Sequence, residues 1–262
     1  MARVFLLINP FAGSSEPDRV LRAVHTTLVS AGWAYKICRA SEWQASREAV
    51  EAASKQGFHM WVAVGGDGTV SRVASGLVNS GIPLAIVPTG TGNVLARDLG
   101  IPATLEGALH LLCDTHRTQT IDAMAIGKRL LFIAVGVGVS GLMMRDTGRA
   151  EKRRFGRIAY LRTGFRSLLG VQPHAFQLQI DGHLSAAEVM VANLGAVGEP
   201  SIRWGPHVLV NDATVDICVV RARSALDLVR IAGTVLLRRQ RQDPNLRFLR
   251  AQQHVHIAAD LP

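Results

Sequence analysis

The sequence predicts an α/β domain followed by an all-β domain: a doubly wound, mostly parallel sheet first, and an antiparallel β-sandwich after it. Three observations carry that expectation. Strand-like apolar runs alternate with helix-like stripes over about the first hundred residues, which is the period of βαβ units. Polar, glycine-containing loops follow three of those runs, at Asn9–Gly13, Gly65–Thr69 and Thr89–Asn93. Beyond Thr120 short apolar runs succeed one another without regular helices, and Asp181-Gly182 stands between two of them as a hairpin signal. The change falls near residues 120 to 125, so the domains are taken as 1–122 and 123–262.

Each element has its own warrant. Val4-Phe5-Leu6-Leu7-Ile8 is the first strand, stopped by Asn9-Pro10. A helix follows, with Ser15 as N-cap and Val20, Leu21, Val24 and Leu28 on one face, closing near Gly32. Trp33 to Arg39 reads as the second strand, and Ser41 caps a second helix with an alanine stripe up to Gly57. His59 to Val64 is the third strand, and the helix after it carries Val70, Val73, Ala74 and Leu77 inward. Leu84 to Val87 is the fourth strand, followed by a short helix through Leu99. In the second half, Leu130–Val139, Ala175–Ile180, Glu188–Asn193, Val208–Val210 and Thr214–Val220 read as strands, and Ser140–Gly170 as a helical interruption.

The chemistry concentrates in the stretch Val64-Gly65-Gly66-Asp67-Gly68-Thr69-Val70. A strand, a glycine turn and a helix start can aim successive N–H groups into one concavity, with the positive end of the helix behind them. An anion such as a nucleotide phosphate fits there. Neither GxxxxGK[ST] nor GxGxxG is present, so neither a P-loop nor a dehydrogenase is supported. An ordinary tight turn would explain any one such loop. Three on the carboxyl rim of one sheet, where α/β folds bind ligands, argue for a site. Asp67 is the acid of these loops, and it has two readings: positioning a hydrated Mg²⁺, or holding the loop by accepting N–H bonds.

Net charge of +9 and a pI near 10.4 imply an anionic partner. Cys38, Cys113 and Cys218 lie far apart with no CxxC pair, which indicates neither a zinc ribbon nor a disulfide framework and suits reduced cytosol. The apolar passage from Leu130 to Met144 is broken by Gly136, Gly138 and Gly141 and is too short to span a bilayer. No helix-turn-helix, RRM or zinc pattern accompanies the charge, and aromatic residues make up only 5% of the chain, so nucleic acid is not the expected partner. His254 and His256 share a strand face but have no evident third ligand, and surface positions account for them.

Asn9-Pro10-Phe11-Ala12-Gly13, then Gly65-Gly66-Asp67-Gly68-Thr69-Val70, then Pro88-Thr89-Gly90-Thr91-Gly92-Asn93-Val94, followed by an all-β half, resembles the diacylglycerol kinase catalytic-domain family, specifically the soluble bacterial lipid kinases. The resemblance spans essentially the whole chain. It implies a fold akin to that of NAD kinase, with ATP held between the two domains. Carried over residue by residue, it assigns Asn9, Pro10, Phe11, Ala12 and Gly13 to the nucleotide phosphates. Gly65, Gly66, Asp67, Gly68, Thr69, Val70 and Ser71 would line the nucleotide cleft, and Thr89, Gly90, Thr91, Gly92 and Asn93 would complete it. Ser41 falls where the family often has a threonine near the nucleotide. A structural Mg²⁺ in the second domain would take the Asp212 carboxylate and the main-chain carbonyls of Leu209 and Thr214, although the family's glycine is Ala213 here. The family's catalytic base is the aspartate of a DGE motif. These residues stop at Asp260-Leu261-Pro262 without one, so the expectation is a parent chain that continues into it.

The implied activity is transfer of the γ-phosphoryl group of ATP, with Mg²⁺, to the hydroxyl of diacylglycerol or another lipid alcohol, in the cytoplasm at the inner membrane face. Asp67 is the catalytic candidate within the chain. An NAD kinase would add an Asn-Glu pair, and no Asn-Glu dipeptide occurs. A nucleotide sensor without catalysis stays open, as does a homodimer. Arg145, Arg149, Lys152, Arg153, Arg154, Arg157, Arg162 and Arg166, against the acids Asp146 and Glu151, interleave with Phe155, Ile158, Ala159, Leu161, Phe165 and Leu168. That stretch suits contact with an anionic membrane surface, or equally a solvated charged helix packed on its own domain.

Overall fold

In the computed structural model, Arg3–Ile8 forms β1, and Val4 through Ile8 are all buried, the signature of a strand covered on both faces. The structure describes residues 2–9, 12, 17–39, 55–114, 116–138, 176–180, 182–186, 188–192, 196–197, 199–203, 208–222, 224–237, 239, 242–252 and 256–258. The chain divides into two units, Met1–Thr120 with Ala125–Leu131, and Ile121–Met124 with Phe132–Pro262.

In the first unit, β2 (Ala34–Arg39), β3 (Met60–Gly65) and β4 (Leu84–Pro88) join β1 in a parallel sheet ordered β2-β1-β3-β4. The chain steps outward from β1 to β2 and then returns to the far side of β1. The order therefore reverses between β1 and β3, and a crevice opens beyond the carboxyl ends of those two strands.

Alternation along the strands assigns the two faces. Val4, Leu6, Ile8, Val62, Val64 and Val87 meet Val20, Val24 and Leu28 of α1 (Pro17–Ser30). Ala108, Leu109 and Leu112, from the helix Leu105–Cys113, pack into the same layer. Phe5 and Trp61, opposite each other in register, belong to the other face, with ring centroids 4.3 Å apart. α2 (Asp67–Leu77) buries Thr69, Val70, Val73, Ala74 and Leu77, the apolar stripe expected of it. α3 (Val94–Asp98) is one short turn, and Leu105–Cys113 is α4.

The α4 helix was not expected, although its signals are present. The Thr104 hydroxyl accepts the Gly107 N–H at 3.2 Å, and Leu105, Ala108, Leu109 and Leu112 recur at helical spacing. The expected strand Leu130–Val139 is two strands. Arg129–Leu131 (β6) turns back on Met124–Ile126 (β5) around Gly127 at φ +56°, and Ala134–Gly138 (β7) joins a different sheet. Bends at Phe132 and Ile133 divide them, with Phe132 buried.

In the second unit, β7, Glu188–Ala192 (β10), Val215–Val220 (β13) and Leu246–Ala251 (β14) make an antiparallel sheet ordered β14-β13-β10-β7. Phe176–Ile180 (β8) and Gly182–Ala186 (β9) form the hairpin that Asp181-Gly182 signals, and His256–Ala258 (β15) pairs with β8. Ala196–Val197 (β11) and Glu199–Arg203 (β12) pair separately. The expected strand Val208–Val210 is a loop and turn, because the Val210 carbonyl accepts the Asp122 N–H and the chain then enters a left-handed turn at Ala213. An unexpected helix, α5 (Ala225–Leu236), precedes β14. The proposed helices at 41–57 and 140–170 fall wholly or largely outside the described residues.

Candidate functional site

The three small-residue loops meet. Asn9, immediately after β1, donates from Nδ2 to the Thr69 Oγ1 at 3.1 Å, bridging the point where the strand order reverses. The Thr89 N–H donates to the Gly65 carbonyl at 3.1 Å, tying the end of β4 to the end of β3. Gly66 and Gly90 touch backbone to backbone: a Cβ on Gly90 would lie 2.5 Å from the Gly66 Cα. Only glycine permits that approach.

Each loop is also closed within itself. Asn93 adopts a left-handed conformation, φ 50° and ψ 43°. Its Oδ1 accepts the Gly90 N–H at 3.0 Å, and its Nδ2 donates to the Gly90 carbonyl at 2.7 Å. This ring fixes Thr89–Asn93 as a rigid bend, and asparagine suits it because it tolerates that backbone region. At Gly65 a Cβ would collide with Thr69, 2.5 Å from its Oγ1.

Asp67 does not cap its own helix. Its Oδ1 accepts the Leu95 N–H at 3.2 Å, at the start of α3, and its Oδ2 lies against Gly92. The N-cap of α2 is Gly66, which has no side chain to satisfy the first-turn amides. The start of α2 therefore carries its partial positive charge without a side-chain cap, and Gly68 in its first turn is exposed. A Cβ on Gly68 would meet nothing within 4 Å, and Gly68 has no positive φ to explain it. Packing does not account for a helical glycine there, whereas an anion approaching the backbone does. Beside these loops, a hollow is lined by Ile8, Asn9, Ala12, Pro17, Val20, Val64 and Thr89.

The named residues separate by placement. Asn9, Ala12, Gly66, Asp67, Gly68, Thr89, Gly90, Gly92 and Asn93 stand at or beside the junction, and Thr91 is exposed on the Thr89–Asn93 bend. Thr69 is buried at 4% exposure and acts through Asn9, while the Val70 side chain is turned into the core at 3%. Gly65 is buried at the end of β3, and Ser71 is half-buried, its carbonyl accepting from the Ser75 hydroxyl. Pro10, Phe11, Gly13, Ser41 and the basic stretch 145–166 lie outside the described residues.

The turn that contains Leu209, Asp212 and Thr214 is built from charge. Asp212 Oδ1 accepts from the Thr214 N–H at 3.1 Å and from the Thr214 hydroxyl at 2.5 Å. Ala213 takes φ 55°, which glycine would adopt without strain, and its N–H donates to Asp122 Oδ2 at 2.7 Å. The Arg250 guanidinium bonds Asp216 Oδ1 at 2.9 Å and lies 3.7 Å from Asp212 Oδ2. The bond to Asp216 raises the Arg250 pKa above its ordinary value, helped by the nearby charges. Asp122 carries no sequence signal of its own, and no local pattern points to the partners of Asp122 and Arg250, which lie 91 and 34 residues away. Three carboxylates, Asp122, Asp212 and Asp216, thus stand around this turn with Arg250, and Asp216 Oδ2 is buried without a hydrogen-bond partner. These carboxylates are already engaged by the Ala213 N–H, by the Thr214 N–H and hydroxyl, and by the Arg250 guanidinium. Among the described residues no group of three or more His, Cys, Asp or Glu side chains is arranged to hold a metal alone, so main-chain oxygens would have to complete the shell.

Comparison with known proteins gives the context. The model for "Diacylglycerol kinase catalytic domain" matches residues 3–126, and that for "YegS C-terminal NAD kinase beta sandwich-like domain" matches residues 133–261. The chain is 26% identical over 261 residues to a diacylglycerol kinase of Bacillus subtilis (strain 168), covering 97% of this chain and 85% of that protein. It is 35% identical over 198 residues to the "Probable lipid kinase YegS-like" protein of Pseudomonas aeruginosa (strain UCBPP-PA14), covering 73% and 63%. Against an uncharacterised Synechocystis protein it is 26% identical and spans 58% of that relative's length. The crystal structure of a diacylglycerol kinase from Bacillus anthracis str. Sterne superposes with TM-score 0.77 at 24% identity, covering 99% of this chain and 86% of the other. The fold is therefore an amino-terminal parallel sheet with a carboxyl-terminal β-sandwich domain.

Proposed function

We propose that this chain, which belongs to the diacylglycerol kinase catalytic-domain family, serves transfer of the γ-phosphoryl group of ATP to the hydroxyl of a lipid alcohol, diacylglycerol first among them. The observation that carries the proposal is the junction of the three loops, where Gly66 and Gly90 meet backbone to backbone beside the uncapped start of α2 and the exposed Gly68.

Phosphoryl transfer needs positioning and charge stabilisation more than covalent chemistry. The residues here provide both. The N–H groups at the start of α2 supply donors and a positive helix end for phosphate oxygens, and Gly68 keeps the approach clear. Asn9 and Thr69 set the distance between the β1 and β3 loops, and the Asn93 ring holds the third loop at fixed height. Asp67 locks α3 against that arrangement. The acceptor hydroxyl oxygen forms the new bond to phosphorus as the bond to the ADP oxygen breaks, and the hydroxyl proton leaves to a base. Mg²⁺ would neutralise phosphate charge at the nucleotide. In the second unit, Asp212 with the carbonyls of Leu209 and Thr214 would hold a structural Mg²⁺.

No helix among the described residues is long and apolar enough to cross a membrane. The acceptor would accordingly be taken from a membrane surface by a peripheral enzyme, with Arg145–Arg166 a candidate contact. The test is nucleotide binding by calorimetry together with radiolabelled transfer from ATP to diacylglycerol, sphingosine and glycerol. Binding of ATP·Mg with label in diacylglycerol is the expected result. Failure to bind ATP overturns the reading, and label in glycerol alone removes the lipid from it.

A further inference from the structure

Helix α5 is anchored on one side and bare on another. Ser224 and Asp227 form a reciprocal cap: Asp227 Oδ2 accepts the Ser224 N–H and hydroxyl, each at 3.0 Å, and the Ser224 hydroxyl accepts the Asp227 N–H. Near the other end, the Thr234 hydroxyl donates to the buried Asp243 at 3.0 Å, and Ile231 is buried. About 120–140° around the axis from the buried Ile231, Leu226 is 78% exposed and Leu237 is 67% exposed, more than any other large hydrophobic residue among the described ones. The Leu237 N–H donates to the Gly233 carbonyl, so the helical turn reaches it.

Eleven positions of helix place the two leucines about 20° apart around the axis and roughly 16 Å apart along it. Arg230 lies between them, about 40° from Leu226, and is exposed. Asp227 is about 100° away from Leu226, with its carboxylate engaged in the cap. The sequence runs on into Arg238-Arg239-Gln240-Arg241, with Arg239 exposed. Two bare leucines alone would suit any apolar partner. A guanidinium between them, a basic run after them and a chain charge of +9 select an anionic one.

We propose that the Leu226, Arg230 and Leu237 stripe of α5 docks the protein on an anionic lipid bilayer, with the leucines entering the headgroup region and the arginines pairing with lipid phosphates. The choice of a bilayer as occupant rests on the lipid-acceptor reading above.

Vesicle co-sedimentation without nucleotide tests it, using phosphatidylcholine vesicles with and without phosphatidylglycerol. The protein is expected to sediment with the phosphatidylglycerol vesicles and to stay in solution with phosphatidylcholine alone. Leu226→Asp/Leu237→Asp is expected to lower partitioning about tenfold or more, with an unchanged melting temperature because both positions are exposed. Arg230→Glu provides a second, single-site reading and is expected to lower partitioning in the same direction. Unaltered sedimentation of both variants overturns the proposal, as does equal binding to neutral vesicles. So does a wild-type dimer that the leucine variant turns monomeric while vesicle binding persists, since the stripe would then join two copies. Transfer to a water-dispersed short-chain acceptor is measured separately. Vesicle binding lost with transfer intact supports docking and leaves the proposed function standing, whereas transfer absent with docking intact removes only the proposed function.

Discussion

The loop junction at Gly66 and Gly90 and the turn at Asp212 and Ala213 solve the same problem, holding an irregular backbone still, by opposite means. At the junction the chain is fixed by contact too close for any Cβ and by uncharged bonds through Asn9, Thr69 and Asn93. At the turn an alanine sits in a glycine conformation, and carboxylates with one guanidinium hold it there. Steric fixation is short-ranged and indifferent to salt, whereas charge fixation at half-exposed positions is screened. The difference teaches that Gly66 and Gly90 tolerate almost no substitution, and the charged turn tolerates several at a cost that depends on the solvent.

Gly90→Ala is expected to have the largest effect. The new Cβ would fall 2.5 Å from the Gly66 Cα and 2.8 Å from the Asn93 Oδ1, and backbone on one side cannot give way. Overpacking of this kind costs about 3 kcal/mol, and denaturant melts at low and high salt should show the same loss. A loss of under about 1 kcal/mol would mean that the two loops separate easily.

Asp67 comes next, because it is the one charged group in the steric region. Asp67→Ala removes the acceptor of the Leu95 N–H and should cost about 1–2 kcal/mol. Asp67→Asn retains an acceptor oxygen and should restore most of that stability. If the carboxylate only clamps α3, the asparagine variant keeps ATP turnover as well. Stability restored with turnover lost would give its charge a part in the chemistry, and the junction would no longer be purely steric.

Arg250→Ala probes the charged region. Its guanidinium is 47% exposed, so the expected loss is modest, about 1 kcal/mol at low salt, and should shrink in high salt. Because its pKa is raised above an already high value, Arg250 stays charged at ordinary pH, and its contribution should not vary between neutral and mildly alkaline solution. A salt-independent loss equal to that of Gly90→Ala would erase the contrast between the two regions.

The same contrast explains what the sequence made legible. Steric demands are written where they act: Gly65-Gly66-Asp67-Gly68 and Gly90-Thr91-Gly92-Asn93 announce close backbone approach, and the apolar runs of β1 and β3 announce double burial. The partners of Asp122 and Arg250 could not be read, because a charge pair leaves no local pattern and these are set by tertiary placement. α4 and α5 were missed for another reason. Their caps, Thr104 and Ser224 with Asp227, stand in the sequence, but a short apolar run after such a residue fits a strand as well as a helix. Leu130–Val139 misled because an apolar run says nothing of where a chain changes sheets.

Gly68→Ala should have the smallest effect on stability and is the sharpest instrument. Gly66 and Gly90 are glycines because the fold leaves no room, but at Gly68 there is room and a helical backbone. Alanine there should leave stability unchanged or raise it by up to about 1 kcal/mol, since alanine is the better helix former. If the space belongs to nucleotide phosphates, the added methyl weakens ATP binding while the melting temperature holds or rises. Calorimetric titration that finds ATP bound as tightly by the alanine variant would remove Gly68 from the site, leaving its neighbours as purely architectural glycines.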